Sequence, residues 1–205
     1  MESGALQSGG LEVRRSAGSG TLLRGRFPYN SIAVLSDGGR TGRPRKERFS
    51  SRAFSYRVER EEERIDLLVG HDFNKPLASR ATGTLDLLDG DDALTFEARI
   101  APELSDVGYV RDALALLESG LAVGISPGFR LPPKRAVAEP ETTEDEPVNP
   151  ARGMHGAVIR VIHAALLFEL SIVTRPAYQD ATVEEARAFQ LARRSPSYAI
   201  TRWRR

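Results

Sequence analysis

Apolar and polar positions along the chain alternate in several stretches, and these fix a first set of elements. Thr21–Phe27 alternates as a strand, and Ile65–His71 is an apolar run of strand length. Ala81–Leu88 and Leu94–Ile100 alternate on either side of Asp89-Gly90-Asp91-Asp92, which is the pattern of a β-hairpin with a glycine-containing turn. The period then changes. Val107, Val110, Leu114 and Leu117 recur at helical spacing, with Ser105 as the expected N-cap and Ser119-Gly120 as the stop. A short strand, Leu121–Ile125, is expected to deliver Ser126 at its end. Val158–Val173 resumes an apolar strand pattern up to Thr174-Arg175-Pro176-Ala177-Tyr178, and Thr182 is placed to cap a short helix through Phe189.

The segments between these elements are polar. Residues 1–20 are rich in Gly and Ser and are expected to be a disordered arm; without an apolar run they do not read as a signal peptide. Ser36–Arg48 carries turn residues with Arg40, Arg43, Arg45, Lys46 and Arg48, and reads as an exposed basic loop. Residues 132–157, rich in Pro, Glu, Thr and Asp, read as a flexible acidic loop inside the domain. The domain is expected to span 21–190, and 191–205 to form a basic tail with Tyr198 and Trp203.

Composition narrows the chemistry. A chain of 205 residues with 40% hydrophobic and 28% charged residues suffices for one domain with a core. A net charge of +1 gives no support to nucleic-acid binding, even through the basic tail. No apolar run approaches the roughly 20 residues that span a bilayer. The absence of cysteine removes thiol nucleophiles and cysteine-held zinc. The three histidines, His71, His155 and His163, lack His-Glu-x-x-His spacing, so neither a metalloprotease nor any metal or other cofactor is expected.

What remains is a serine between glycines, Gly124-Ile-Ser126-Pro-Gly128, and a histidine at the end of an apolar run, Val69-Gly-His71-Asp72. A serine hydroxyl becomes a useful nucleophile when a positioned base takes its proton. On residues alone, an ordinary strand-end serine at Ser126 and a structural histidine at His71 are the commoner readings. Gly-Ile-Ser-Pro-Gly also fits G-x-S-x-G, but that motif needs a strand-turn-helix setting, which Pro127 and Phe129-Arg-Leu do not provide.

Four segments in order resemble the prohead maturation proteases of tailed phages. They are Glu47-Arg-Phe-Ser-Ser-Arg-Ala53-Phe54; Val69-Gly-His71-Asp72 to Pro76-Leu77 with Gly83-Thr-Leu; Gly124-Ile-Ser126-Pro-Gly128-Phe129; and Leu167-Phe-Glu169-Leu-Ser171 to Pro176-Ala177-Tyr178. The chain departs from the family pattern at Arg52, at Ala78-Ser79 and at Pro127. The resemblance implies an α+β fold, mainly an antiparallel β-barrel flanked by a few helices, like the herpesvirus assembly proteases. It implies a serine endopeptidase acting inside an immature capsid in the host cytoplasm. Its targets would be scaffold protein, the scaffold-like segment of the major capsid protein, and the protease itself. The runner-up is an inactive capsid-assembly or scaffold-binding module of the same fold, and self-association stays open.

Under that resemblance Ser126 is the nucleophile and His71 the general base. Gly124 and Gly128 would let substrate backbone approach or supply an oxyanion donor, because Pro127 has no N–H to offer. Glu169 is the expected third member: a carboxylate in an apolar strand needs a partner. An ion pair with an arginine would also satisfy it. His163 competes, being on the same expected strand face and about 20 Å away along an extended chain; herpesvirus-type enzymes use a second histidine in this role. Asp72, adjacent to His71, is expected to cap the following turn, and His155 to be solvated.

Overall fold

The structure is a computed structural model that describes residues 12–15, 20–122, 124–176 and 178. Among them are fourteen strands and two α-helices, numbered here in chain order. The strands are β1 (Glu12–Arg15), β2 (Thr21–Pro28), β3 (Ala33–Ser36), β4 (Arg45–Phe49), β5 (Asp66–Val69), β6 (Asp72–Ser79) and β7 (Leu85–Asp89). They continue with β8 (Ala93–Ile100), β9 (Gly124–Arg130), β10 (Glu141–Asp145), β11 (Val148–Asn149), β12 (Met154–His155), β13 (Val158–Ile162) and β14 (Leu166–Val173). The helices are α1 (Ser55–Val58) and α2 (Gly108–Glu118). The class is therefore α+β and strand-rich, as expected.

Three four-stranded sheets and one two-stranded ribbon hold the strands. The orders are β1-β2-β8-β7, β10-β13-β4-β3 and β6-β5-β14-β9, with β11 and β12 paired separately. Among the described residues no sheet pairs its first strand with its last, so no closed barrel is formed. Pairing is antiparallel except for β13 on β4 and β14 on β5. Late in the chain, β13 and β14 thus run beside β4 and β5 in the same order.

The sheets meet on aromatic rings. Phe27 from β2, Phe49 from β4 and Phe129 from β9 come together with Phe54 and Tyr178. Centroids lie 5.4 Å apart for Phe27–Phe49, 5.0 Å for Phe49–Phe129 and 4.9 Å for Phe27–Tyr178, all edge to face. Edge-to-face packing puts the positive rim of one ring on the negative face of the next. The Tyr178 hydroxyl donates to Glu47 Oε1 at 2.9 Å, and burial together with that carboxylate pushes its pKa up. Helix α2 buries Val110, Ala113, Leu114 and Leu117, one stripe at helical spacing.

Several expected boundaries move. Helix α2 is preceded by Val107 rather than capped by Ser105, which closes a 3₁₀ turn. The strand leading to Ser126 starts at Gly124 and runs to Arg130, so Ser126 lies inside β9 and not at a strand end. The single strand expected over Val158–Val173 is two strands, broken at 163–165 as the chain passes from one sheet to another. Within the arm expected at 1–20, Glu12–Arg15 pairs with β2. The remainder of that arm outside 12–15 and 20, the short helix expected from Thr182 and the tail 191–205 lie outside the described residues.

The basic and acidic segments both contain strands, for one reason. Arg45–Arg48 belongs to β4, and Glu141–Asp145, inside the segment expected as a loop, forms β10; β13 lies between them. Across β13 the charges meet: Arg48 Nη2 lies 2.9 Å from Glu144, and Lys46 Nζ 2.5 Å from Glu146. Arg43 reaches Asp145 at 2.6 Å, while Arg160 of β13 binds Glu47 at 2.9 Å and also contacts Glu141. The Lys46 ammonium holds the Glu146 carboxyl below the usual range. A strand of Glu, Thr and Asp has little to bury, and here partner charges and backbone bonds on an edge supply what burial does not.

The aromatic junction carries the fold, so Phe49→Ala is expected to cost about 3–5 kcal/mol. Denaturant titration with unchanged slope would measure it, and a loss under 1 kcal/mol would show that the junction is not the common core.

Candidate active site

The sheet β6-β5-β14-β9 carries Ser126 and Glu169, and its β5–β6 hairpin carries His71. Strands β5 and β6 are joined by Gly70 and His71 alone, since Val69 pairs with Asp72. Both turn residues are left-handed, with φ of 61° and 62°. Two such residues make the mirror-image turn that matches strand twist in a tight hairpin. Glycine adopts it freely; for His71 the conformation costs roughly 1–2 kcal/mol and needs outside support. That support comes from β14. Gly70 N–H donates to the Ile172 carbonyl at 3.0 Å, and His71 N–H donates to Ser171 Oγ at 2.8 Å.

Glu169 completes the contact. His71 Nδ1 lies 2.7 Å from Glu169 Oε1, while Ser171 Oγ donates to Glu169 Oε2 at 2.7 Å. A carboxylate only accepts, so the shared hydrogen resides on Nδ1 and leaves Nε2 as an acceptor. Glu169 is 3% exposed, yet the His71 side chain is 46% exposed. The ring is thus anchored from the inside and open to solvent on its other edge. The arginine ion pair, the other way to satisfy Glu169, is not what its carboxylate makes here.

A bulge lets an apolar strand present this carboxylate. Leu167 pairs with Phe129 and Glu169 with Gly128, so β14 carries one extra residue, Phe168, against β9. Strict alternation would put Leu167, Glu169 and Ser171 on one face. The extra residue lets Leu167 join Leu170 in the core while Glu169 and Ser171 share the opposite face. The displaced Phe168 ring receives the Arg57 guanidinium at 4.2 Å and that of Arg130 at 5.3 Å.

Ser126 enters the group through register. It is the directly opposed partner of Ser171 across the β9–β14 ladder, which places it on the face that carries Glu169 and Ser171. Strand β9 is an edge strand of the sheet, where Pro127 can be accommodated without breaking a central ladder. The flanking glycines have packing reasons. A Cβ on Gly128 would stand 1.8 Å from Glu169 Oε1 and 2.6 Å from its carboxyl carbon. A Cβ on Gly124 would stand 2.4 Å from the Pro176 ring.

The remaining candidates lie apart. His163 sits in the break between β13 and β14, not on a strand face shared with Glu169. Its Nδ1 is 3.0 Å from Ser50 Oγ and its Nε2 2.7 Å from Thr142 Oγ1, so both nitrogens are engaged. Asp72 Oδ1 accepts from Asn74 N–H at 2.9 Å, which holds its carboxyl below the usual range with help from Lys75. The exposed His155 is held in its ribbon through its main chain, which donates to Glu146. Two residues escaped the sequence reading. Ser171 could have been noticed two positions after Glu169, on the same strand face and otherwise surrounded by apolar residues. Asp66, 4% exposed and opposite Glu169 in β5, is satisfied by Ser79 at 2.5 Å and Arg64 at 3.0 Å. Among the described residues no His, Asp and Glu cluster has the makings of a metal site.

A half-exposed imidazole backed by a buried carboxylate, with a serine on the neighbouring strand, is an arrangement suited to acyl transfer. The chain matches the caudovirus prohead serine protease family over residues 33–195 and belongs to that family. That family indicates a serine protease and suggests a role in phage capsid maturation. No curated protein and no solved structure is a significant match to the chain.

Gly128→Ala tests the fit at Glu169. The added methyl displaces a buried carboxylate from its partners, so the thermal melt is expected to fall by several degrees while the chain still folds. Cleavage is expected to fall about 10²-fold, because a misplaced orienting group misaligns the imidazole. A full cleavage rate in this variant would show that Glu169 has room to step aside.

Proposed function

We propose that the chain is an active serine endopeptidase that cleaves scaffold protein, or the scaffold-like segment of the major capsid protein, and itself inside the immature capsid. Ser126 is the nucleophile, His71 the general base, and Glu169 the group that orients and stabilises the imidazolium. The contact between His71 Nδ1 and Glu169 Oε1 at 2.7 Å carries this reading, because it leaves Nε2 as the acceptor for the serine proton. Family membership gives the reaction its class, and the placement of Ser126 opposite Ser171 supports its role.

Ser126 Oγ attacks the scissile carbonyl carbon while its proton passes to His71 Nε2. The C–N bond then breaks and that proton leaves on the amine. Water, deprotonated by the same nitrogen, releases the acyl group and restores the serine. Pro127 cannot donate to the oxyanion, so the donors are the Gly128 amide or the backbone of another loop. The engagement of both His163 nitrogens elsewhere favours Glu169 as third member. In this reading the domain spans about 21–190 and shares the herpesvirus-protease type of architecture, without a closed barrel among the described residues.

The test is cleavage of co-expressed capsid and scaffold proteins, read by intact mass together with that of the protease. Ser126→Ala is expected to lose about 10⁴-fold or more while keeping its melt. If the wild-type chain cuts nothing and Ser126→Ala changes nothing, the chain is an assembly module of the same fold and the reading falls. In the same assay, Glu169→Gln is expected to lose about 10²- to 10⁴-fold, and folded His163→Ala to stay near wild type. The reverse outcome would transfer the third role to His163.

A further inference from the structure

The geometry points to Ser171 as a positioning residue that holds both the main chain and the ring of His71; this rests on the assignment of Ser126, His71 and Glu169 above. Its hydroxyl is fully buried, at 0% exposure. The single hydroxyl proton goes to Glu169 Oε2, and a lone pair accepts His71 N–H. Glu169 Oε1 then meets His71 Nδ1. The bonds form a closed circuit that leaves His71 by its amide and returns through its imidazole. One end fixes the left-handed turn; the other fixes the ring.

The circuit also says why Ser171 is not itself the nucleophile. Its proton is committed to a carboxylate and its oxygen is shut off from solvent, whereas Ser126, across the ladder, is only half-buried. The two serines face each other with different tasks. Ser126 is the one that substrate can meet, and Ser171 sets the imidazole against it.

Two consequences separate positioning from filling of space. Without the Ser171 hydroxyl the His71 amide loses its acceptor, and the turn is freer to rotate the ring away. Glu169 also loses one of its two donors, so its charge is concentrated toward Nδ1 and favours the imidazolium more strongly.

The experiment uses the full chain and a fluorogenic peptide spanning a junction cut by the wild-type protein. Ser171→Ala is expected to lower kcat about 10²-fold with KM little changed, since Ser171 touches no substrate. The acidic limb of its pH–rate profile is expected to move to higher pH. In the Ser126→Ala background, the low-field proton resonance of His71 Nδ1–H is expected to shift or broaden when Ser171→Ala is added. Ser171→Thr and Ser171→Val, alike in shape but with and without the hydroxyl, carry the comparison if Ser171→Ala fails to fold. Recovery by Thr and not by Val supports the role. Equal rates and coincident pH profiles for the hydroxyl-bearing and hydroxyl-free variants, with Ser126→Ala inactive, overturn it while leaving the protease reading intact. Cleavage by Ser126→Ala at the wild-type rate would instead strike the assignment of Ser126 as nucleophile, and the role of Ser171 would fall with it.

Discussion

A carboxylate with almost no contact with water dictates much of its surroundings. An unpaired buried charge of this kind costs several kcal/mol, and Glu169 avoids that cost by accepting from His71 on one oxygen and from Ser171 on the other. Each condition passes outward. The strand must carry an extra residue so that Glu169 turns from the core while Leu167 and Leu170 stay in it. The neighbouring strand must have no side chain at 128. The hairpin between β5 and β6 must hold a histidine in a conformation that favours glycine. Local irregularities that look unrelated along the chain are thus responses to one buried charge.

The frame that tolerates these strains is built differently. Aromatic edges and faces join the three sheets on one side of the molecule, with the Tyr178 hydroxyl tied to Glu47. The β10-β13-β4-β3 sheet adds a belt of opposite charges laid across β13. The exposed members of that belt, such as Arg43 with Asp145, contribute little individually and are weakened by salt. The better-shielded Lys46–Glu146 contact is less open to screening. Apolar packing therefore determines stability in the main, and the charge belt determines which strand lies beside which.

Much of this was legible in the sequence wherever burial is periodic. The β7–β8 hairpin, β2 and the apolar stripe of α2 follow directly from alternation or helical spacing. Legibility failed where charge replaces burial: Arg45–Arg48 and Glu141–Asp145 read as loops because the reason they are strands lies on a distant partner. It failed again at 163–165, where Ala164 and Ala165 continue an apolar run across a change of sheet. For the site, the resemblance implied Glu169 as the partner of His71, while the need to satisfy a carboxylate in an apolar strand left an arginine equally open. Ser171 was not expected, because a lone serine has no signature until its register with Ser126 is known. The turn at Gly70-His71 was read as the end of a strand, so its left-handed geometry also went unseen. Asp72 begins the next strand and accepts from Asn74 N–H, in keeping with the turn-capping role expected of it.

Strand β14 occupies the middle of its sheet, with β5 parallel on one side and β9 antiparallel on the other. Everything that holds the histidine ring is therefore encoded near the end of the described chain. During translation the hairpin with His71 and the strand with Ser126 leave the ribosome well before Glu169 and Ser171 exist to join them. Pairing over such long separations is among the slower steps of folding. The nascent chain passes through a period of synthesis in which it has its serine and histidine but no means of aligning them. The site is thus completed only when β14 inserts between β5 and β9.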